Sequence, residues 1–133
     1  MSQKILIIED DYDMLSFLSI VLREAGYEIF PANSAAQGLK LAQHVNPDLV
    51  LLDIMMPDVD GWETCRRLRE MGDRPIVFVT ALRDAKNRDK GLILGDDYIV
   101  KPFVPNELLS RIRGHIERWL SKQQPPPDGV LTP

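Results

Sequence analysis

The chain has 133 residues, 44% hydrophobic and 27% charged, with a net charge of −4 at pH 7, which fits one globular domain with a full hydrophobic core. The negative charge argues against direct nucleic acid binding, because contact with a phosphate backbone needs a concentrated positive surface. The sequence contains neither a secretory signal pattern nor an apolar stretch near the roughly eighteen residues of a membrane span, so we expect a cytoplasmic protein without membrane association.

Short apolar runs alternate with amphipathic segments along the chain. The runs, rich in aliphatic and β-branched residues, predict buried strands, and the segments with apolar residues at helical spacing predict helices. Several segments end at glycine or proline. In chain order the predicted elements are strand 4–8, a helix from 11 or 13 to about 25, strand 27–30, helix 34–45, strand 48–53, a helix from 60 or 61 to 71, strand 75–80, helix 84–94, strand 98–100 and a final helix that follows Pro105 and ends near residue 121.

This alternation predicts a single α/β architecture. Strands that are apolar throughout and that are separated by helices indicate a parallel sheet covered on both faces, with right-handed crossovers. We therefore expect a doubly wound, open (βα)5 sheet. Ligands of such sheets bind at the carboxyl ends of the strands, so the residues that follow the strands are the candidates for function.

Polar residues of complementary chemistry follow four of the five strands. Glu9 and Asp10 follow the first strand, Asp53 ends the third, Thr80 ends the fourth and Lys101 follows the fifth. Neighbouring carboxylates repel one another unless a cation lies between them. Mg²⁺ prefers oxygen ligands and retains several waters, so an open cluster of two or three acids suits it. The sequence therefore predicts a magnesium site beside a lysine and a hydroxyl group.

Other reactive residues are interpreted as structural. Asp11 or Asp13 would cap the first helix and interact favourably with its dipole. His44 and His115 have no acid or cysteine at ligand spacing, and Cys65 has no partner for an intramolecular disulfide. We assign none of these five residues to the site.

Four motifs at the predicted strand ends carry a family resemblance: IEDD, DIMMPDVDG, VTA and KPF, in this order. Over residues 3–121 the chain resembles the receiver domain of bacterial two-component response regulators. The resemblance implies a flavodoxin-like strand order of 2-1-3-4-5. It also implies a receiver domain at residues 1–121, followed at 122–133 by a Pro-rich linker or disordered tail.

The resemblance implies phosphorylation of one aspartate. Asp53 would accept a phosphoryl group from the phosphohistidine of a sensor histidine kinase or of a phosphotransfer protein. The ligands of Mg²⁺ would be Glu9, Asp10, Asp53 and the backbone carbonyl of Met55. The chain would catalyse only its own phosphorylation and dephosphorylation and would otherwise not be an enzyme.

The resemblance also implies how the phosphoryl group is held and sensed. Lys101, the hydroxyl group of Thr80 and the backbone amide of Ala81 would contact the phosphoryl oxygens. Thr80 and Tyr98 would form a switch that changes the surface of the fourth helix, the fifth strand and the fifth helix. Pro102 would follow a cis peptide bond.

Two features depart from the family pattern or refine it. One small residue is missing before the fifth strand, where the chain reads Gly95-Asp96-Asp97-Tyr98, so we expect a tighter connection. Met55 and Leu82 are bulky apolar residues two positions beyond Asp53 and Thr80. They would flank the path of the attacking water and slow the loss of phosphate.

Alternative functions are weighed against the same residues. A phosphatase with an aspartyl-phosphate intermediate generally has a second aspartate where this chain has Met55. A flavin-binding electron carrier needs a hydroxyl- and glycine-rich loop where this chain has Glu9, Asp10 and Asp11. The principal alternative is a receiver-like interaction module that acts without phosphorylation. An output domain beyond residue 133, of a transcriptional or another kind, and a homodimer formed on phosphorylation are left open.

Overall fold

The computed structural model describes residues 2–57 and 59–123 and contains a five-stranded sheet. All neighbouring strands are parallel, in the order β2-β1-β3-β4-β5, which confirms the predicted fold class and strand order. Each strand is followed by one helix. The elements are β1 (Lys4–Ile8), α1 (Tyr12–Glu24), β2 (Glu28–Ala32), α2 (Ala35–Val45), β3 (Leu49–Leu52), α3 (Gly61–Met71), β4 (Ile76–Thr80), α4 (Ala85–Leu94), β5 (Asp97–Val100) and α5 (Pro105–Gln123).

Alternating side chains of the sheet form two hydrophobic cores, one on each face. Ile5 and Ile7 of β1 pack in the core with α1 and α5, whereas Leu6 and Ile8 pack in the core with α2 and α3. Each fully buried aliphatic side chain contributes about 1.5–3 kcal/mol to stability. Since helices cover both faces of the sheet, the carboxyl ends of the strands are left to form the functional edge.

Polar caps fix where the helices next to this edge begin. The carboxylate of Asp11 accepts a hydrogen bond of 3.1 Å from the amide of Met14 at the start of α1, as predicted. Asp60 caps α3 and Asp84 caps α4 in the same way. These caps satisfy amide groups that a helix leaves without internal partners, and they set the direction of the loops around the site.

The second strand is longer than the sequence pattern predicts. It runs to Ala32 and includes Pro31, which pairs in register with Ile7. Proline has no amide hydrogen and normally interrupts a sheet. Here β2 lies at the edge of the sheet and pairs only with β1 among the described strands, so it tolerates a residue that cannot donate towards the open side.

The last helix also extends past its predicted end. Lys122 and Gln123 are helical, because no residue that breaks a helix occurs before Pro125. The Pro-rich segment predicted to be a linker falls largely on residues 124–133, which lie outside the described residues. None of the helices in the described part of the chain, the long α5 included, combines the length and apolarity needed to cross a membrane.

One buried arginine lies at the opposite edge of the sheet, just before β4. Arg74 is only 5% exposed, and its Nη2 donates a hydrogen bond of 3.2 Å to Oδ1 of Asn46. Within the described residues, its Nε and Nη1 atoms are buried without a hydrogen-bond partner. Burial lowers the pKa of this guanidinium, and the negative charge of Asp48 partly opposes that effect. Arg74 is therefore a stability cost built into the fold.

Replacing this arginine with an apolar side chain of similar length is expected to stabilise the protein. Arg74→Met removes the unpaired N–H groups, while the exposed Asn46 remains accessible to water, so we expect the free energy of unfolding in urea to rise by about 1–2 kcal/mol. Arg113→Met, at an exposed position of α5, is the matched control and should change it little. A less stable Arg74→Met variant would contradict this interpretation.

Candidate functional site

Three charged side chains from distant parts of the chain meet at the carboxyl edge of the sheet. Nζ of Lys101, after β5, contacts Oε1 of Glu9, after β1, and donates a hydrogen bond of 2.9 Å to Oδ2 of Asp53, after β3. Both carboxylates are almost completely buried. The parallel register of the sheet brings these residues together, as the strand-end pattern predicts.

An acidic cluster surrounds this lysine. Glu9, Asp10 and Asp53 each offer a carboxylate oxygen, and the three atoms lie within 4.8 Å of one another. Glu9 and Asp53 are buried, whereas Asp10 is exposed. The cluster is therefore open on one side. Its oxygen donors fit a hard divalent cation that keeps part of its water shell.

Backbone amides hold the second oxygen of each buried carboxylate. The amide of Asp11 donates a hydrogen bond of 3.1 Å to Oε2 of Glu9, and the amide of Met55 donates one of 2.9 Å to Oδ1 of Asp53. Each carboxylate is thus fixed by one amide and by the ammonium group of Lys101. This arrangement orients both acids before any ligand binds. The side chain of Met55 itself is exposed at the surface.

The charges of the site perturb its titration. Burial raises the pKa of the Glu9 carboxyl to about 7, and the negative charge of Asp53 adds to this effect, although the hydrogen bond from Lys101 opposes it. Burial works to lower the pKa of Lys101, but hydrogen bonds to Glu9 and Asp53 raise it overall. One lysine therefore does not neutralise the cluster, and a further positive charge would relieve the remaining repulsion.

The predicted hydroxyl and amide lie at the end of β4, the strand next to β3. Thr80 is fully buried, and its Oγ1 accepts a hydrogen bond of 3.4 Å from the amide of Leu82. Ala81 follows it at an exposed position. The amide of Lys101 bonds the carbonyl of Thr80 at 2.8 Å, which extends the pairing of β4 and β5 up to the site. The Lys101–Pro102 peptide bond is cis, as the resemblance predicts.

The predicted switch tyrosine points into the protein. Tyr98 is 4% exposed, and its hydroxyl group donates a hydrogen bond of 2.7 Å to the carbonyl of Leu82. Its ring packs against Phe78, with the centroids 6.1 Å apart. Burial raises the pKa of its phenol, and the charges of Asp84 and Asp53 add to this effect. Tyr98 and Thr80 therefore both form hydrogen bonds with the backbone of Leu82. The sequence pattern gives Leu82 a role only through its side chain, beside the path of the attacking water.

His115 makes a contact that the sequence pattern does not reveal. His115 has no acid at ligand spacing in the sequence, but its Nε2 lies 3.0 Å from Oδ2 of Asp97, the first residue of β5. Arg111, one turn earlier in α5, contacts the other oxygen of Asp97 at 3.3 Å. Burial works to raise the pKa of Asp97, yet hydrogen bonds from His115 and from the amide of Tyr98 lower it. Arg111 and His115 are four residues apart and therefore share one face of α5. This spacing was the sequence signal that the two side chains could contact the same acid.

The fold and the acidic edge define an α/β domain whose chemistry lies at the carboxyl ends of its strands. The model of the response regulator receiver domain family matches residues 5–113, and the chain belongs to this family. It is thus a receiver domain of the two-component response regulators. The family identification made from the four motifs is confirmed.

Individual relatives agree with this assignment. The chain is 48% identical over 117 residues to the probable transcriptional regulatory protein SilR of Salmonella typhimurium, with coverage of 86% of this chain and 51% of SilR. It is 42% identical over 119 residues to the DNA-binding response regulator MtrA of Mycolicibacterium paratuberculosis, with coverage of 89% and 53%. The chain spans about half the length of these curated relatives.

Solved structures show the same architecture. A CheY-like response regulator receiver domain protein from Methanospirillum hungatei JF-1 superimposes with a TM-score of 0.86 at 29% identity, covering 92% of this chain and 99% of the other. The BeF3-activated receiver domain of Klebsiella pneumoniae RstA gives a TM-score of 0.80 at 34% identity, with coverage of 85% and 97%.

Removal of the lysine tests the electrostatic balance of the site. Lys101→Met leaves two buried carboxylates without their cation, so we expect the free energy of unfolding to fall by about 3 kcal/mol at pH 8 without divalent cations. The loss should shrink as the pH falls through 7, because the raised pKa of about 7 leaves Glu9 largely neutral in the folded protein at pH 5. Urea unfolding at the two pH values measures this, and equal losses at both would disprove the electrostatic explanation.

Proposed function

We propose that Asp53 is the phosphoacceptor of this receiver domain and that the donor is the phosphohistidine of a sensor histidine kinase or of a phosphotransfer protein. The observation that carries the proposal is the position of the Asp53 carboxylate. It is buried, oriented by the Met55 amide, bonded to Lys101 and next to two further acids. A carboxylate held in this way is a suitable nucleophile at phosphorus.

Phosphoryl transfer replaces a phosphorus–nitrogen bond with a phosphorus–oxygen bond. A carboxylate oxygen of Asp53 bonds to phosphorus as the bond from phosphorus to the histidine nitrogen breaks, and the histidine keeps the electron pair. The product is an acyl phosphate. Lys101, which forms a hydrogen bond with Asp53 in the unmodified protein, would offset the negative charge of the phosphoryl oxygens. The hydroxyl group of Thr80 and the amide of Ala81 would donate hydrogen bonds to these oxygens.

Magnesium fits the acidic cluster. In this proposal Glu9, Asp10, Asp53 and the carbonyl of Met55 hold the ion. When bound, it supplies the positive charge that offsets both the cluster and the phosphoryl group. The raised pKa of Glu9 supports this assignment, because it indicates an unfavourable burial and a repulsion by Asp53 that Lys101 alone does not offset.

The phosphoryl group would act on the surface formed by α4, β5 and α5. Thr80 turns its hydroxyl towards the phosphoryl oxygens, and Tyr98 responds through Leu82, to which both are bonded. A switch from mostly inactive to mostly active needs a preference of about 5.5 kcal/mol. Several charge-assisted hydrogen bonds to one phosphoryl group can supply it.

Partners follow from the family and from the relatives' lengths. Because the relatives are about twice as long and are named as transcriptional or DNA-binding regulators, we propose that this domain controls an output domain beyond residue 133. The acidic chain would not itself bind nucleic acid, and it would work in the cytoplasm. Phosphorylation would favour a homodimer. The second candidate, an interaction module that acts without phosphorylation, requires Asp53 to remain unmodified.

Chemical phosphorylation distinguishes the two candidates. With acetyl phosphate and Mg²⁺, we expect the intact mass of the chain to increase by one phosphoryl group, and we expect no increase for Asp53→Asn or without the metal. Asp13→Asn, which changes an exposed acid of α1, is the matched control and should be phosphorylated normally. An unmodified wild-type chain would favour the interaction module.

The lifetime of the phosphate tests the two apolar residues beside the site. Met55 is 55% exposed and Leu82 partly buried, and both follow a site residue by two positions. Met55→Asn with Leu82→Glu should admit and orient the attacking water, so we expect the phosphate to be lost roughly tenfold faster, equivalent to about 1.4 kcal/mol.

The decay is followed by intact mass after acetyl phosphate is removed. Ile93→Glu, a polar replacement of an exposed residue in α4, serves as the control and should decay like wild type. Equal decay of the double variant and this control would rule out a role for the two residues.

A further inference from the structure

Helix α4 approaches the switch tyrosine through a glycine. Gly91 is the one buried residue of α4, all of which is described. A Cβ atom at this position would overlap Cδ1 of the Tyr98 ring and lie 3.0 Å from its Cε1. The inward position of Tyr98 therefore depends on the absence of a side chain at residue 91.

The C-terminal end of α4 is also held close to the sheet. A Cβ atom at Gly95 would overlap the ring of Phe78 and lie 3.0 Å from the carbonyl oxygen of Ile76. Only Gly95 and Asp96 connect α4 to β5. The Asp96 carboxylate accepts hydrogen bonds of 2.8 Å from the amide of Ile76 and from Arg69. These contacts restrain α4 from moving outward to make room for a side chain.

A groove lies beside Tyr98. A groove of about 290 Å³ lies over β5 between α4 and α5, and Tyr98 forms part of its wall. Residues of both helices and of the segment after β5 line it, among them Arg88, Val100, Pro102 and Glu107. The ring lies inward against Gly91, and this groove is open space next to it.

We propose that Gly91 is the positioning residue that permits the inward state of Tyr98, and that a side chain at residue 91 moves the ring into the outer groove. Leu82, between β4 and α4, forms backbone hydrogen bonds with both Thr80 and Tyr98. Gly91 therefore determines whether phosphorylation of Asp53 changes the surface of α4, β5 and α5. This signalling consequence rests on the proposed function. The steric part of the proposal stands without it.

The test compares Gly91→Ala with a matched control in the full chain. Gly114→Ala makes the same change in α5, where a Cβ atom would lie 3.4 Å from the flexible end of Arg118. Both variants are labelled with fluorotyrosine and studied by ¹⁹F NMR. The chain has three tyrosines, and Tyr98→Phe identifies the resonance of residue 98.

We expect Gly91→Ala to shift the Tyr98 resonance to that of an exposed ring. The phenol pKa, which burial now raises, should fall towards its ordinary value. Modification of Asp53 by acetyl phosphate should stay within about twofold of wild type, because residue 91 does not touch the acidic cluster. Gly114→Ala should change none of these readouts. An unchanged Tyr98 resonance in Gly91→Ala overturns the proposal.

A second measurement covers the case in which Gly91→Ala folds poorly. Tyr98→Ala removes the overlap with the ring and leaves only a contact of 3.3 Å with Cδ2 of Phe78, so Gly91→Ala should lower the urea midpoint clearly less in that background than when the ring is present. An equal loss in both backgrounds overturns the proposal. Failure of the wild-type chain to accept phosphate would reject the proposed function instead, and the position of Tyr98 would still be readable.

Discussion

Lys101 places one ammonium group between the buried carboxylates of Glu9 and Asp53. Burial of two like charges is unfavourable unless a cation and hydrogen bonds compensate it, so this contact limits how the rest of the sheet can be built. The strands β1, β3 and β5 must end at the same level. The cores on both faces of the sheet fix that level, because a shift by one residue would exchange the side chains of the two faces.

The contact of Lys101 with Glu9 and Asp53 does not neutralise the site. Two fixed acids and an exposed third carry more negative charge than the lysine neutralises, which fits the binding of a divalent cation. The site is also connected to a distant surface. Thr80 and Tyr98 bond the amide and the carbonyl of Leu82, and Gly91 lets α4 close over the tyrosine ring. In the proposed mechanism, a change of charge at Asp53 would alter packing at α4 and β5 through these contacts, without a chain of long-range charges.

Most of the fold could be predicted from local patterns. The apolar run at Lys4–Ile8 matched β1, and the cap at Asp11 marked the start of α1, because both depend on neighbouring residues. The prediction for β2 was too short, because tolerance of Pro31 depends on the strand lying at the sheet edge. The pairing of His115 with Asp97 was missed, because packing of α5 on β5 creates it.

The sequence by itself determined the alternation of strands and helices, the polar residues at the strand ends and, through four motifs, the family. Hydrophobic periodicity and caps act over a few residues, so they can be read from the chain directly. Only the tertiary structure decided that Tyr98 lies inward against Gly91, that the carbonyl of Leu82 accepts a hydrogen bond from its hydroxyl group, and that two nitrogens of the buried Arg74 lack a partner among the described residues. Each of these depends on how closely two separate elements approach, and that distance is set by the packing of the whole domain.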